Sequence, residues 1–166
     1  MSLELSLPDS EHTERLGAAL AGCGPPSPAA PLIVYLQGEL GAGKTTLARG
    51  LLRALGVTGV VRSPSYTLLE SYESAGRRLF HLDLYRLKGA SELAMLGWRD
   101  ELRPGALFLI EWPERAAEAL PPADLKLALS ILGVGRRVRL EGMSASGAAW
   151  LAALRADPAV AEMNRV

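Results

Sequence analysis

The chain carries one cysteine in 166 residues, and it also has a single asparagine and a single glutamine. Each scarcity excludes something. Cys23 alone can form neither an internal disulfide nor a multi-cysteine metal cluster, and it fits a reducing compartment. Its setting, Ala21-Gly22-Cys23-Gly24, reads as the end of a helix. Asn164, the only asparagine, lies in the tail, so the Asn-Lys-x-Asp motif with which GTPases read guanine is absent. Gln37 precedes the glycine-rich loop described below and cannot serve as a water-orienting switch glutamine. Lysine is scarce as well: Lys44, Lys88 and Lys126 are the only three, and the remaining basic side chains are arginine. No apolar run approaches the ~18 residues of a membrane-spanning helix. The stretch Met1 to Pro8 contains Glu4 and no basic region followed by an apolar run, so no signal peptide is expected. The 18 acids balance the 18 bases, which gives no global pull toward nucleic acid or anionic lipid. DNA and membrane are therefore not expected as partners, and the cytoplasm is the expected location.

Hydrophobic residues make up 49% of the sequence, enough for a sizeable core at a length suited to one domain. Leu3 to Leu7 alternates like a short strand. Asp9-Ser10 offers a helix N-cap, and apolar residues at helical spacing run from Thr13 to Cys23. Gly24 to Pro31 is a loop. Leu32 to Leu36 is continuously apolar, as expected of a strand buried on both faces, and a helix is predicted from Thr45 to Leu55, stopping at Gly56. Tyr66 to Tyr72 and Arg78 to Tyr85 alternate and read as a hairpin around Glu73 to Arg77. A helix opens at Ser91 and stops at Gly97. A second buried strand spans Ala106 to Ile110, followed by a short helix from Glu114 to Leu120. Leu125 to Leu132 and Arg136 to Glu141 form a second hairpin across Gly133-Val134-Gly135, and Ser146 to Arg155 is a C-terminal helix. The expected fold is α/β: one P-loop NTPase domain over residues 1–166, with 143–166 as C-terminal helix and tail. Its mixed sheet has parallel core strands, antiparallel hairpins and helices on both faces.

Gly38-Glu39-Leu40-Gly41-Ala42-Gly43-Lys44-Thr45 is a complete Walker A loop between a buried strand and a helix. Its glycines permit backbone angles closed to other residues and turn main-chain N–H groups toward a phosphate. The helix N-terminus adds its positive dipole end. Lys44 neutralises phosphate charge, and Thr45 offers a hydroxyl to Mg²⁺. Glu39, Gly41, Ala42, Gly43, Lys44, Thr45 and Thr46 are the candidate nucleotide-contacting residues. Such a site also needs an acid at the end of a neighbouring strand, and two residues qualify. Glu111 follows Leu107-Phe108-Leu109-Ile110 in the manner of a Walker B acid. Asp83 sits in His81-Leu82-Asp83-Leu84-Tyr85-Arg86, where the alternative is a carboxylate paired with Arg86 or Arg78. His81 reads as a hydrogen-bonded structural histidine. The Arg77-Arg78 pair could imitate a kinase lid, but in a hairpin turn solvated charge is the plainer reading.

Four segments carry a resemblance. They are the loop through Thr46, Ser63-Pro64-Ser65-Tyr66-Thr67-Leu68, His81-Leu82-Asp83-Leu84-Tyr85-Arg86-Leu87, and Ile110-Glu111-Trp112-Pro113. In order and spacing, from about Leu5 to Glu141, the chain resembles the TsaE family, the P-loop member of the bacterial machinery that makes threonylcarbamoyladenosine in tRNA. That resemblance implies ATP or ADP with Mg²⁺ as cofactors, Lys44 on phosphate, and Thr45 and Glu111 as metal ligands. Asp83 would be a catalytic or supporting acid, and Ser63 to Thr67 a switch-like loop sensing the γ-phosphate. Thr13, with Arg136 or Arg137, would lie near the adenine. Ser65 stands where the family usually has Thr, which keeps the hydroxyl. The resemblance further implies that the chain joins TsaB and TsaD, that its ATP hydrolysis resets their complex between turnovers, and that tRNA is met indirectly. A P-loop small-molecule kinase and a nucleotide-binding regulator without meaningful hydrolysis are the competing readings. Weak ATPase activity is expected of the isolated chain. If the strand through Tyr85 continues regularly, Asp83 and Arg86 point to opposite faces. Trp112 is either a partner contact or a core side chain capping its strand.

Overall fold

The continuous apolar runs of the sequence sit at the centre of one seven-stranded sheet. The computed structural model describes residues 1–26 and 28–163. Ser27, in the loop expected from Gly24 to Pro31, and the tail that contains Asn164 lie outside the described residues. In chain order the elements are β1 (Ser2–Leu7), α1 (Ser10–Cys23), β2 (Leu32–Gln37), α2 (Lys44–Ala54), β3 (Leu69–Ser74), β4 (Arg77–Asp83), α3 (Ala90–Met95), β5 (Leu107–Glu111), β6 (Leu125–Leu132), β7 (Gly135–Gly142), α4 (Ala145–Ala156) and α5 (Pro158–Met163). The strand order is β1-β7-β6-β2-β5-β4-β3. β2 runs parallel to both β5 and β6, and β4 runs parallel to β5. The β3–β4, β6–β7 and β1–β7 pairs are antiparallel. The expected mixed sheet, with a parallel centre and antiparallel hairpins, is the observed one.

Alternation along β2 divides the core. Leu32, Val34 and Leu36 face a large cluster beneath α1, α2, α4 and α5, whereas Ile33 faces a smaller one built on Phe80, Phe108 and Trp98. Each fully buried leucine contributes about 1.5–3 kcal/mol, so the four-helix face carries most of the stabilisation. The opposite face is covered by α3 and by 3₁₀ turns at Trp98–Glu101 and Pro113–Ala116. On the larger face α1 and α2 approach closely because both present glycine. A methyl at Gly17 would collide with the Leu47 carbonyl oxygen, and one at Gly50 with that of Glu14.

The hairpins depart from expectation in detail. The first has a two-residue turn, Ala75-Gly76, with φ of 50° and 74°, the paired left-handed conformation that suits the twist of a tight hairpin. Tyr66 to Leu68 is not strand. Leu68 has φ 65° and returns its N–H to the Pro64 carbonyl at 2.7 Å, so β3 starts only at Leu69. The segment expected as a helix from Glu114 to Leu120 is a single 3₁₀ turn. Pro121-Pro122 closes it off, and Tyr35 Oη holds the Pro121 carbonyl at 2.5 Å. The Arg77-Arg78 pair divides: Arg78 is exposed, as expected of solvated charge, whereas Arg77 is half-buried. Arg77 Nε donates to the Gly105 carbonyl at 3.0 Å, burial lowers the guanidinium pKa, and Arg78 pairs with Glu101 at 2.8 Å. Both residues stand at the start of β4, the end away from Asp83, where no lid over the glycine-rich loop could originate.

α5 was not anticipated. Its signal is Asp157-Pro158: Asp157 Oδ1 accepts from the Ala159 N–H at 2.8 Å, and proline suits a first helical position. Cys23 closes α1 as expected and donates its thiol to Asp157 Oδ2 at 3.3 Å. Burial, followed by the hydrogen bond to Asp157 and its charge, pushes this thiol from 9.0 up to about 11. The thiolate is the nucleophile, so alkylation of Cys23 by iodoacetamide at about pH 8 should be roughly 100-fold slower in the folded protein than in the urea-unfolded chain. Equal rates would remove the thiol from its Asp157 contact.

Candidate functional site

Parallel strands deliver their C-terminal ends to the same edge of a sheet, and crevices at that edge are where such folds bind ligands. β2 ends in the glycine-rich loop, β5 ends at Glu111 and β4 ends at Asp83. The register pairs Leu36 with Glu111, and Glu111 with Asp83. The two acids, on neighbouring strands and on the face covered by α2, therefore stand side by side under the start of that helix.

The loop requires its glycines. Gly38 has φ 142°, and a side chain there would strike the Leu129 carbonyl. Gly43 has φ 101° and caps α2 without any side-chain hydrogen bond, leaving the helix's first amides facing the loop. Lys44 is 5% exposed. Its ammonium donates to the carbonyls of Gly38 (2.6 Å) and Glu39 (2.8 Å) and lies 4.2 Å from the Trp112 ring centroid. Desolvation lowers its pKa, and the charges of Glu111, Asp83, Glu114 and Glu39 act in the opposite direction. Thr45 Oγ1 donates to Glu111 across 2.8 Å to Oε1 and 3.1 Å to Oε2. Glu111 Oε1 also accepts from His81 Nε2 at 2.8 Å. Asp83 accepts from the Ser63 hydroxyl on Oδ2 and from the Tyr85 N–H on Oδ1 at 3.0 Å.

Except for Gly38 and His81, these groups open onto one cavity of about 640 Å³, bounded by Gly41, Gly43, Lys44, Thr45, Thr46, Asp83 and Glu111, with Thr13 and Arg136 also in its wall. Arg136 reaches across to the Gly41 carbonyl at 2.8 Å and so joins the second hairpin to the loop. Arg137 does not join it; it points to β1 and lies 3.5 Å from Glu4. Of the other loop positions, Glu39 contributes its carbonyl and Ala42 is wholly packed in the core. Asp83 pairs with neither Arg78 nor Arg86. β4 stops at Asp83, so the alternation that would separate Asp83 from Arg86 stops too; both border the cavity, with Arg86 4.4 Å above the Tyr66 ring. Trp112 is half-buried. Its φ of 57°, a conformation that costs a bulky residue about 1–3 kcal/mol, turns the chain off β5 and leaves the ring against Lys44 and Tyr85. Asp9, Ser10, Leu40, Tyr85 and Val134 also line the cavity. Asp9-Ser10 was legible only as an N-cap and Val134 only as a hairpin tip; nothing in the sequence places either at the cavity.

Among the described residues no three acidic, histidine or cysteine side chains converge as a closed metal cage. One buried carboxylate beside one hydroxyl, open to a cavity, is instead the donor set of a Mg²⁺ that completes its shell with phosphate oxygens and water. The residues fit that group.

A glycine-rich loop between a buried parallel strand and a helix, facing an acid at the end of the next parallel strand, defines a P-loop α/β domain. A family model described as threonylcarbamoyl adenosine biosynthesis protein TsaE matches residues 7–138. The chain belongs to the TsaE family. The tRNA threonylcarbamoyladenosine biosynthesis protein TsaE of Haemophilus influenzae is 45% identical over 109 residues, covering 66% of this chain and 69% of that protein. The protein of the same name from Rickettsia felis is 34% identical over 155 residues, 93% of this chain and 88% of that one. The crystal structure of Bacillus subtilis YdiB superposes with a TM-score of 0.75 at 25% identity, covering 93% of this chain and 95% of that one. Among the described residues no helix is long and apolar enough to cross a membrane.

Proposed function

We propose that this chain, acting as one domain over residues 1–166, binds ATP or ADP with Mg²⁺. In this reading it hydrolyses ATP as a cytoplasmic subunit required for threonylcarbamoyladenosine modification of tRNA. The observation that carries the reading is the hydrogen bond from Thr45 at the start of α2 to Glu111 at the end of β5. It brings together, beside the buried Lys44, the hydroxyl and carboxylate that a phosphate-bound Mg²⁺ needs. In this reading Lys44 and the loop amides grip the phosphates, and Thr45 and Glu111 hold the metal. Thr13 and Arg136 flank the nucleoside, and Asp83 is the acid facing the attacking water. Mg²⁺, when bound, supplies neutralisation of phosphate charge. The kinase alternative loses its support, because the arginines that suggested a lid are bound at the far end of β4.

Hydrolysis requires an oriented water and charge stabilisation. The chain offers no switch glutamine, and both oxygens of Asp83 are engaged, one of them by the loop that contains Ser63. Each oxygen keeps a further acceptor site, but the Ser63 contact ties the orientation of Asp83 toward water to the position of that loop. The tie between Asp83 and that loop supports a partner-dependent ATPase; in this reading the partners are a TsaB–TsaD complex, as family membership suggests, tRNA is met through them, and neither DNA nor membrane is a ligand. ATP turnover by the purified chain should be slow and should rise at least tenfold when TsaB and TsaD are added, ~1.4 kcal/mol in barrier. Fast turnover indifferent to those partners would return the reading to a stand-alone enzyme.

A further inference from the structure

We propose that His81 is a positioning residue for Glu111, fixing the carboxylate that the preceding section reads as a Mg²⁺ ligand; the inference rests on that reading. His81 lies on β4 two residues before Asp83, on the same face, and is fully buried. Its Nε2 stands 2.8 Å from Glu111 Oε1. An ionised carboxylate only accepts hydrogen bonds, so Nε2 carries the hydrogen. Glu111 Oε1 receives a second hydrogen from Thr45. The two donors differ in kind. Thr45 borders the cavity and meets whatever enters it, whereas His81 does not reach the cavity wall. His81 is therefore the anchor on Glu111 that bound ligands leave in place.

Nδ1 of His81 is buried and has no hydrogen-bond partner among the described residues. A buried polar atom without a protein partner is destabilising. An apolar side chain of similar size would fill this space without that cost. What histidine provides here, and an apolar residue does not, is the Nε2–H directed at Glu111. Groups that orient a metal ligand in this way hold its rotamer, and their removal typically weakens metal binding ~10–100-fold.

The test uses the full chain with ADP and reads Mn²⁺ binding by electron paramagnetic resonance. His81→Phe keeps the ring volume and removes the donor; His81→Gln keeps an N–H at comparable reach. His81→Phe should bind Mn²⁺ ~10–100-fold more weakly, with metal-free ADP affinity unchanged, and His81→Gln should recover most of the loss. In the assembled ATPase the Mg²⁺ concentration for half-maximal rate should rise in His81→Phe, with kcat at saturating Mg²⁺ largely retained. Mn²⁺ affinity within threefold of wild type in His81→Phe, or equal weakening in both variants, would overturn the proposal. Should His81→Phe fail to fold, ¹⁵N spectra of the wild-type imidazoles decide. The chain has only two histidines, so a His12 variant assigns them. A neutral His81 ring protonated on Nε2 with bare Nδ1 supports the proposal, and the opposite tautomer overturns it. Wild-type protein that binds ADP but no Mn²⁺ would remove the metal reading of Glu111 itself, and this inference with it.

Discussion

Replacing Lys44 with alanine should lower the affinity for MgATP at least 100-fold, measured by isothermal titration calorimetry. Lys44 is the buried cation of the cavity. Its ammonium is held by the Gly38 and Glu39 carbonyls, in the glycine-rich loop at the start of α2. Removing it leaves uncompensated the four acids whose charges act on the ammonium, Glu111, Asp83, Glu114 and Glu39, which repel a phosphate. No neighbour substitutes: Arg86, which also borders the cavity, lies over the Tyr66 ring. Arg136 is committed to the Gly41 and Gly135 carbonyls at 2.8 and 2.7 Å, and Lys88 and Lys126 are absent from the cavity wall. A hydrogen bond to a charged group contributes ~1.5–3 kcal/mol, and 1.4 kcal/mol is about tenfold in affinity. One such bond and the lost attraction together give the expected hundredfold. Lys44→Arg should fail to restore binding, because a planar guanidinium does not fit where a compact ammonium is gripped by two carbonyls. Unchanged affinity in Lys44→Ala, with an unaltered melting curve, would sink the nucleotide reading.

Glu111→Ala should separate binding from chemistry. ATP hydrolysis by the assembled system should fall ~10²–10³-fold, the range for removal of one preorganised electrostatic group. ADP affinity without metal should stay within about threefold, because Lys44 and the loop amides are intact. The expectation follows from geometry. Glu111 is 2% exposed and joined to both Thr45 and His81, so its negative charge is fixed and poorly screened at one place. Asp83 is the control for this argument. It is the in-register neighbour of Glu111 but is occupied by Ser63 and the Tyr85 amide. Wild-type hydrolysis in Glu111→Ala would transfer the metal role to Asp83.

The sequence determined what local chemistry can specify. An apolar run followed by Gly-x-x-Gly-x-Gly-Lys-Thr specifies strand, loop and helix, because glycine permits the backbone angles and the helix supplies the dipole. The alternation around Gly133 specifies a hairpin, and the same logic made Glu111 legible as an acid at a strand end. Tertiary structure decided the rest. The neighbours of β2 are β5 and β6, and only that order brings Asp83, Glu111 and Thr45 together and lays the second hairpin over the loop, with Arg136 against Gly41. The separation of Arg136 from Arg137 is likewise a matter of which strand lies on the far side. No sequence window contains these contacts, because pairing between distant strands depends on burial of whole faces rather than on local preference. The left-handed turns at Leu68 and Trp112 were hidden for the same reason. Neither residue favours that conformation, and each is held there by a distant partner: the Leu68 carbonyl accepts from the Asp83 amide, and the Trp112 ring lies against Lys44 and Tyr85.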